Sequence, residues 1–97
     1  MTGKQRAYLR GLANGLDTIV HIGKGGVTEA VVHQTDEALG ARELVKCRVL
    51  ETALLTAREA CDLLARETGA EGVQVIGSRF VLYRPDPESP KLTLPKA

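Results

Sequence analysis

Three glycines within four residues, Gly23-Lys24-Gly25-Gly26, with the hydroxyl of Thr28 just beyond, form the segment whose residue types and spacing best suit a chemical task. Lacking a Cβ, glycine lets the main chain bend sharply and come close to a ligand. Where such a turn opens a helix, the first amide N–H groups point outward without a partner in the helix, and the helix dipole adds partial positive charge. Phosphate is the guest those donors suit, and Lys24 supplies a mobile cation that demands no particular base. Alone, a four-residue G-x-x-G pattern is a tight turn more often than a ligand site. The nucleotide-hydrolysing loop G-x-x-x-x-G-K-[ST] is absent, and a dinucleotide fingerprint needs glycine where Thr28 stands.

Nothing else in the chain assembles a catalytic set. His21 alternates with Val20 and Ile22, His33 falls in a helical stretch, and neither has a second ligand at metal spacing. Ser78 lacks a recognisable His and Asp and suits a turn. Cys47 and Cys61 lack C-x-x-C spacing and lie among apolar residues, which favours two buried, reduced thiols. The acidic groups are scattered over amphipathic helices, where a solvated face explains them. No enzymatic activity, catalytic residue, metal or cofactor is expected. Tyr8, Phe80 and Tyr83 are too few for the stacked array of an RRM-type sheet, and the two tyrosines suit packing with the hydroxyl exposed.

The elements that must hold the glycine turn can be read on either side of it. Thr18 to Ile22 is β-branched and suits a strand, and Thr28 can cap a following helix that Gly40 ends. A parallel β-α-β crossover is right-handed, which places the turn at the carboxyl end of that strand. Before it, a helix from Thr2 or Gly3 to Leu12 or Ala13 has Tyr8, Leu9 and Leu12 as its buried stripe, with Lys4, Arg6 and Arg10 projecting away and Asn14-Gly15 stopping it. After it, a strand over Leu44 to Leu50 turns Val45, Cys47 and Val49 inward and Lys46 and Arg48 outward, the pattern of one dry and one wet face. A third helix is expected over Thr52 to Thr68 with Leu54, Ala57, Cys61, Leu64 and Ala65 on one face, stopped by Gly69. Val73 to Ile76 and Arg79 to Arg84 flank Gly77-Ser78 as a tight hairpin.

The fold class that follows is α/β: a two-layer α-β-α-β-α-β-β unit. Its 97 residues, 43% apolar and 26% charged, suit one globular domain, placed at residues 1–85. Pro85, Pro87, Pro90 and Pro95 all follow the last strand and mark residues 86–97 as a partly packed tail. There is no signal-peptide pattern and no apolar run of membrane-spanning length, so a cytoplasmic monomer with no membrane partner is expected.

Net charge is only +1, but it is segregated. Residues 1–28 carry Lys4, Arg6, Arg10 and Lys24 against Asp17, for +3; residues 29–71 sum to −4 and residues 72–97 to +2. Local potential decides whether a polyanion docks, so a basic face drawn from both ends of the chain is possible beside the plainer alternative of a mixed, solvated surface. The acidic middle suggests a second function class, a non-enzymatic protein-interaction module that docks through its acidic helices. A G-x-x-G turn ahead of a helix is also how one class of RNA-binding module clamps a strand of nucleotides.

Several segments in order carry a family resemblance: Leu9-Arg10-Gly11-Leu12-Ala13, His21 through Thr28, Glu43-Leu44-Val45-Lys46-Cys47-Arg48, Glu67-Thr68-Gly69-Ala70, and Val73 through Gly77 with Val81 through Pro85. Together they resemble the YhbY family, the stand-alone bacterial form of the CRM (chloroplast RNA splicing and ribosome maturation) domain, over nearly the whole chain. The resemblance implies a mixed four-stranded sheet like that of the C-terminal domain of translation initiation factor three, preceded by an extra helix. It implies RNA binding without catalysis, contact with ribosomal RNA in precursors of the large subunit, and a role in ribosome assembly. By position it implies Gly23, Lys24, Gly25 and Gly26 as the family's loop, and Arg10, Lys46, Arg48 and Arg84 as basic positions. Lys4 and Arg6 extend that footprint from the first helix.

Overall fold

Each of the three helices begins at a threonine whose hydroxyl accepts from the backbone three residues on. In this computed structural model, which describes residues 1–96, they are α1 (Gly3–Ala13), α2 (Glu29–Arg42) and α3 (Ala57–Thr68), interleaved with β1 (Thr18–Ile22), β2 (Leu44–Val49), β3 (Glu71–Ile76) and β4 (Arg79–Tyr83). The strands form one sheet in the order β1-β2-β4-β3, with β1 and β2 parallel and the other two pairs antiparallel. This is the expected mixed four-stranded α/β fold, except that it is not two-layered: α1 packs on the face opposite α2 and α3, because the strands alternate apolar residues to both faces.

Alternation along the strands divides the sheet into two faces. Val20, Ile22, Val45, Cys47, Phe80 and Leu82 pack with Leu39 of α2 and Ala57, Ala60, Cys61 and Leu64 of α3 in the main core. Burial pushes the Cys47 thiol up to about 12, with Cys61 adding to the effect, and both cysteines are free. On the other face Leu44, Val73, Val81 and Tyr83 pack under Leu9 and Ala13 of α1, with Leu92 and Leu94 of the tail alongside. One half of that second face is therefore roofed, and Tyr8 and Leu12 of the expected α1 stripe lie at its edge, 40% and 37% exposed.

Two helix boundaries differ from expectation. The third helix starts at Ala57 and not at Thr52, because Thr56 and Glu59 form a reciprocal capping box, with bonds of 2.8 and 3.1 Å. Residues 51–55 form turns, and Leu54 is exposed instead of buried. The second helix runs through Gly40 to Arg42, and the residue that leaves it is Glu43, at φ 66°. That conformation costs a side-chain-bearing residue about 1–3 kcal/mol. Glu43 is held there because its buried carboxylate accepts from the amides of Asp86 (2.7 Å), Lys91 (2.9 Å) and Leu92 (2.8 Å), while its own carbonyl accepts from Arg84 N–H. The tail is thereby fastened to the domain; residue 97, the last of the expected tail, lies outside the described residues.

Candidate nucleic-acid interface

The glycine turn stands where the crossover argument places it, between β1 and α2. Gly26 N–H donates to the Gly23 carbonyl (3.0 Å), which puts Lys24 and Gly25 at the tip, and Thr28 N–H donates to the Gly26 carbonyl (3.2 Å). Thr28 then caps α2 through Val31 N–H (3.2 Å). Of the three glycines only Gly26, at φ 71°, has a backbone that disfavours a side chain. A Cβ on Gly23 would meet nothing nearer than 3.8 Å, and one on Gly25 nothing nearer than 3.6 Å, both ordinary contacts. The fold thus explains one glycine, and close approach by a ligand would explain the other two. Among the described residues the N–H groups of Lys24, Gly25 and Val27 have no acceptor, so the turn offers free donors beside an exposed lysine.

Strand register brings two arginines to the same end of the sheet. His21 of β1 pairs with Arg48 of β2, Arg48 with Arg79 of β4, and Arg79 with Ile76 of β3. Directly paired residues project on one face, here the face opposite the main core, beyond the part that α1 roofs. The row spans three strand spacings, about 14 Å. Its His21 end adjoins Ile22 and the glycine turn. Arg48 is half-buried, and its Nε is enclosed without an acceptor among the described residues.

The remaining expected site residues separate into three groups. Lys4 and Arg10 remain exposed on α1, free of any ion pair among the described residues. Arg6 does not project away: its Nη1 donates to the carbonyls of Gly72 (2.6 Å) and Val73 (3.1 Å), at the irregularity in β3. Lys46 is likewise turned under α1, where Nζ donates to the Ala13 carbonyl (3.2 Å) at the helix C-terminus, a place that favours a cation. Arg84 stands apart from the turn, about 17 Å along β4 from Arg79. It holds Asp36 of α2 and the last α3 carbonyl, that of Thr68 (2.8 Å). These three cations join elements of the fold.

The family model of the CRS1 / YhbY (CRM) domain matches residues 1–84. The chain belongs to the CRM-domain family. It is 38% identical over 95 residues to a Bacillus subtilis protein named as a probable RNA-binding protein, covering 98% of this chain and 99% of the relative. A Haemophilus influenzae protein named as an RNA-binding protein is 38% identical over 96 residues, covering 99% and 96%. The solution structure of a Staphylococcus aureus protein superposes with TM-score 0.81 at 44% identity, covering 98% of this chain and 99% of the other. The family expectation drawn from the sequence is borne out.

Within this CRM domain an acidic groove begins beside the turn. Glu29, Asp36 and Glu67 line it along α2 together with Val27, Thr28 and His33, the last paired to Glu37, while Asp36 is paired to Arg84. Its carboxylates disfavour a polyanion along α2, so the turn and the cationic row on the opposite face are the surface that favours one. Arg79 lies outside the basic positions to which the sequence points. Its place directly after Gly77-Ser78 fixes its pairing with Ile76, but the partnership with Arg48 appears only once β4 is known to lie beside β2. Among the described residues no group of three or more His, Cys, Asp or Glu could hold a metal, and no helix is long and apolar enough to cross a membrane.

Proposed function

We propose that this CRM domain is a cytoplasmic, non-enzymatic RNA-binding factor that contacts ribosomal RNA in precursors of the large subunit and acts in their assembly as a monomer. The observation that carries the reading is the glycine turn, whose free amides and Lys24 lie at the end of the Arg48–Arg79 row. Phosphate oxygens would take the amide and lysine donors, and the guanidiniums would extend the contact along the strand. The names of the Bacillus and Haemophilus relatives support RNA as the polyanion.

Gly25→Asp is the direct test, because the turn has room for a Cβ there and the carboxylate would repel phosphate. Affinity for ribosomal RNA fragments at moderate salt should fall about tenfold or more with the melting temperature unchanged, and Lys24→Ala should cost less. Wild-type affinity in the Gly25→Asp protein would remove the turn from the interface. For the assembly role, the tagged protein should sediment with large-subunit precursors and be released by nuclease. Retention on a protein partner after nuclease treatment would instead favour docking through the acidic helices.

A further inference from the structure

The end of the sheet that carries the glycine turn also carries the two most exposed large apolar side chains among the described residues, Leu54 at 91% and Ile76 at 64%. Leu54 belongs to the segment that packs against the turn. A Cβ on Gly23 would lie 3.9 Å from Thr52 Oγ1, and one on Gly26 would lie 4.0 Å from Leu55 Cδ2. Ile76 closes the row His21, Arg48, Arg79 on the far strand. Single exposed apolar residues need no explanation, but here one belongs to the cationic strip and the other to the segment packed against the glycine turn at the strip's end.

That combination discriminates between kinds of RNA. Amides and cations alone would serve any phosphate backbone. In an A-form duplex the bases are stacked inside and the deep major groove is closed to side chains, so exposed leucine and isoleucine gain nothing there. Unpaired nucleotides present bare base faces that seek apolar surface and guanidinium planes. We infer that the occupant of this surface is unpaired RNA, a loop, bulge or free end, whose phosphates sit at the glycine turn while its bases lie against Leu54, Ile76 and the guanidiniums of Arg48 and Arg79. The inference rests on the RNA-binding reading above. Charge favours a phosphate backbone of either kind: the row itself is free of acidic residues, and Glu29 and Glu51 are the carboxylates on the flanking segments.

The test compares the full chain's affinity for two RNAs of equal length at one salt concentration, an unstructured strand and a fully paired duplex. The strand should bind about tenfold tighter, and Leu54→Ser and Ile76→Ser should each weaken strand binding several-fold without changing duplex binding. Equal affinity for the two RNAs, or serine variants that hold the strand like the wild type, would overturn the inference and leave RNA binding standing. Failure of both RNAs to bind would remove the RNA reading and this inference with it. A dimer in sedimentation that both serine variants abolish would assign the face to a second copy of the chain and would equally overturn it.

Discussion

Arg48 and Arg79 face each other as direct partners in the β2–β4 ladder, two guanidiniums on one side of the sheet, and neither forms an ion pair among the described residues. Like charges placed opposite each other weaken a strand pair by roughly 0.2–1 kcal/mol. Stability gives no reason for the arrangement, whereas an anion lying across both would turn the repulsion into attraction.

Arg79→Ala should therefore separate binding from folding. The dependence of log affinity on log salt should become shallower by about 0.7–1, the share of one phosphate contact, while chemical denaturation shows equal or slightly greater stability. An unchanged salt slope together with a lower unfolding midpoint would show that Arg79 serves the fold.

Arg84→Ala should do the reverse. Its guanidinium ties β4 to Asp36 of α2 and to the Thr68 carbonyl, and its ion pair is partly exposed. A loss of about 1–2 kcal/mol in urea unfolding is expected, mostly from the carbonyl contacts, with the RNA salt slope unaltered. A shallower slope would place Arg84 on the ligand after all.

Glu43 links stability to pH. Burial pushes its carboxyl up, but the amides of Asp86, Lys91 and Leu92 and the charge of Lys91 outweigh that and hold it below its ordinary value of 4.5. A depressed value means that the ionised form favours the folded state: its contribution is complete above 4.5 and is lost as pH falls through the lower folded value. Glu43→Gln should cost about 2 kcal/mol at pH 7 and progressively less in acid, where the wild-type carboxyl is itself protonated. Urea unfolding of both proteins at pH 7 and in acid measures the difference, and a gap that stays constant would refute the linkage.

The parts of the fold written in local chemistry were legible in the sequence. Thr28 as a cap, Gly69 as a stop and Gly77-Ser78 as a hairpin turn each depend on residues within a few positions. Gly40 misled because what holds α2 together past it is remote: Glu43 is fixed by amides 43 to 49 residues further on. The start of α3 was misplaced because apolar spacing runs on through Leu54, while the hydrogen bonds of Thr56 and Glu59 set the boundary. The glycine turn was readable as a candidate for the same local reason. Which arginines stand near it was not, since charge and spacing do not distinguish Arg48, half-buried in the row beside His21 and Arg79, from Lys46 two residues earlier, held under α1.

The fastening of the tail also decides how the molecule can be handled. The Pro95 carbonyl accepts from Gln5 Nε2 (3.0 Å), and Met1 and Leu94 border the same hollow as Glu71 and Tyr83, at the pole of the sheet away from the glycine turn. A fused module, surface tether or fluorescent label joined at Met1, or one extending the path of the tail, would hang from that pole. The domain could be immobilised or strung in tandem with its anion-favouring end still facing solvent.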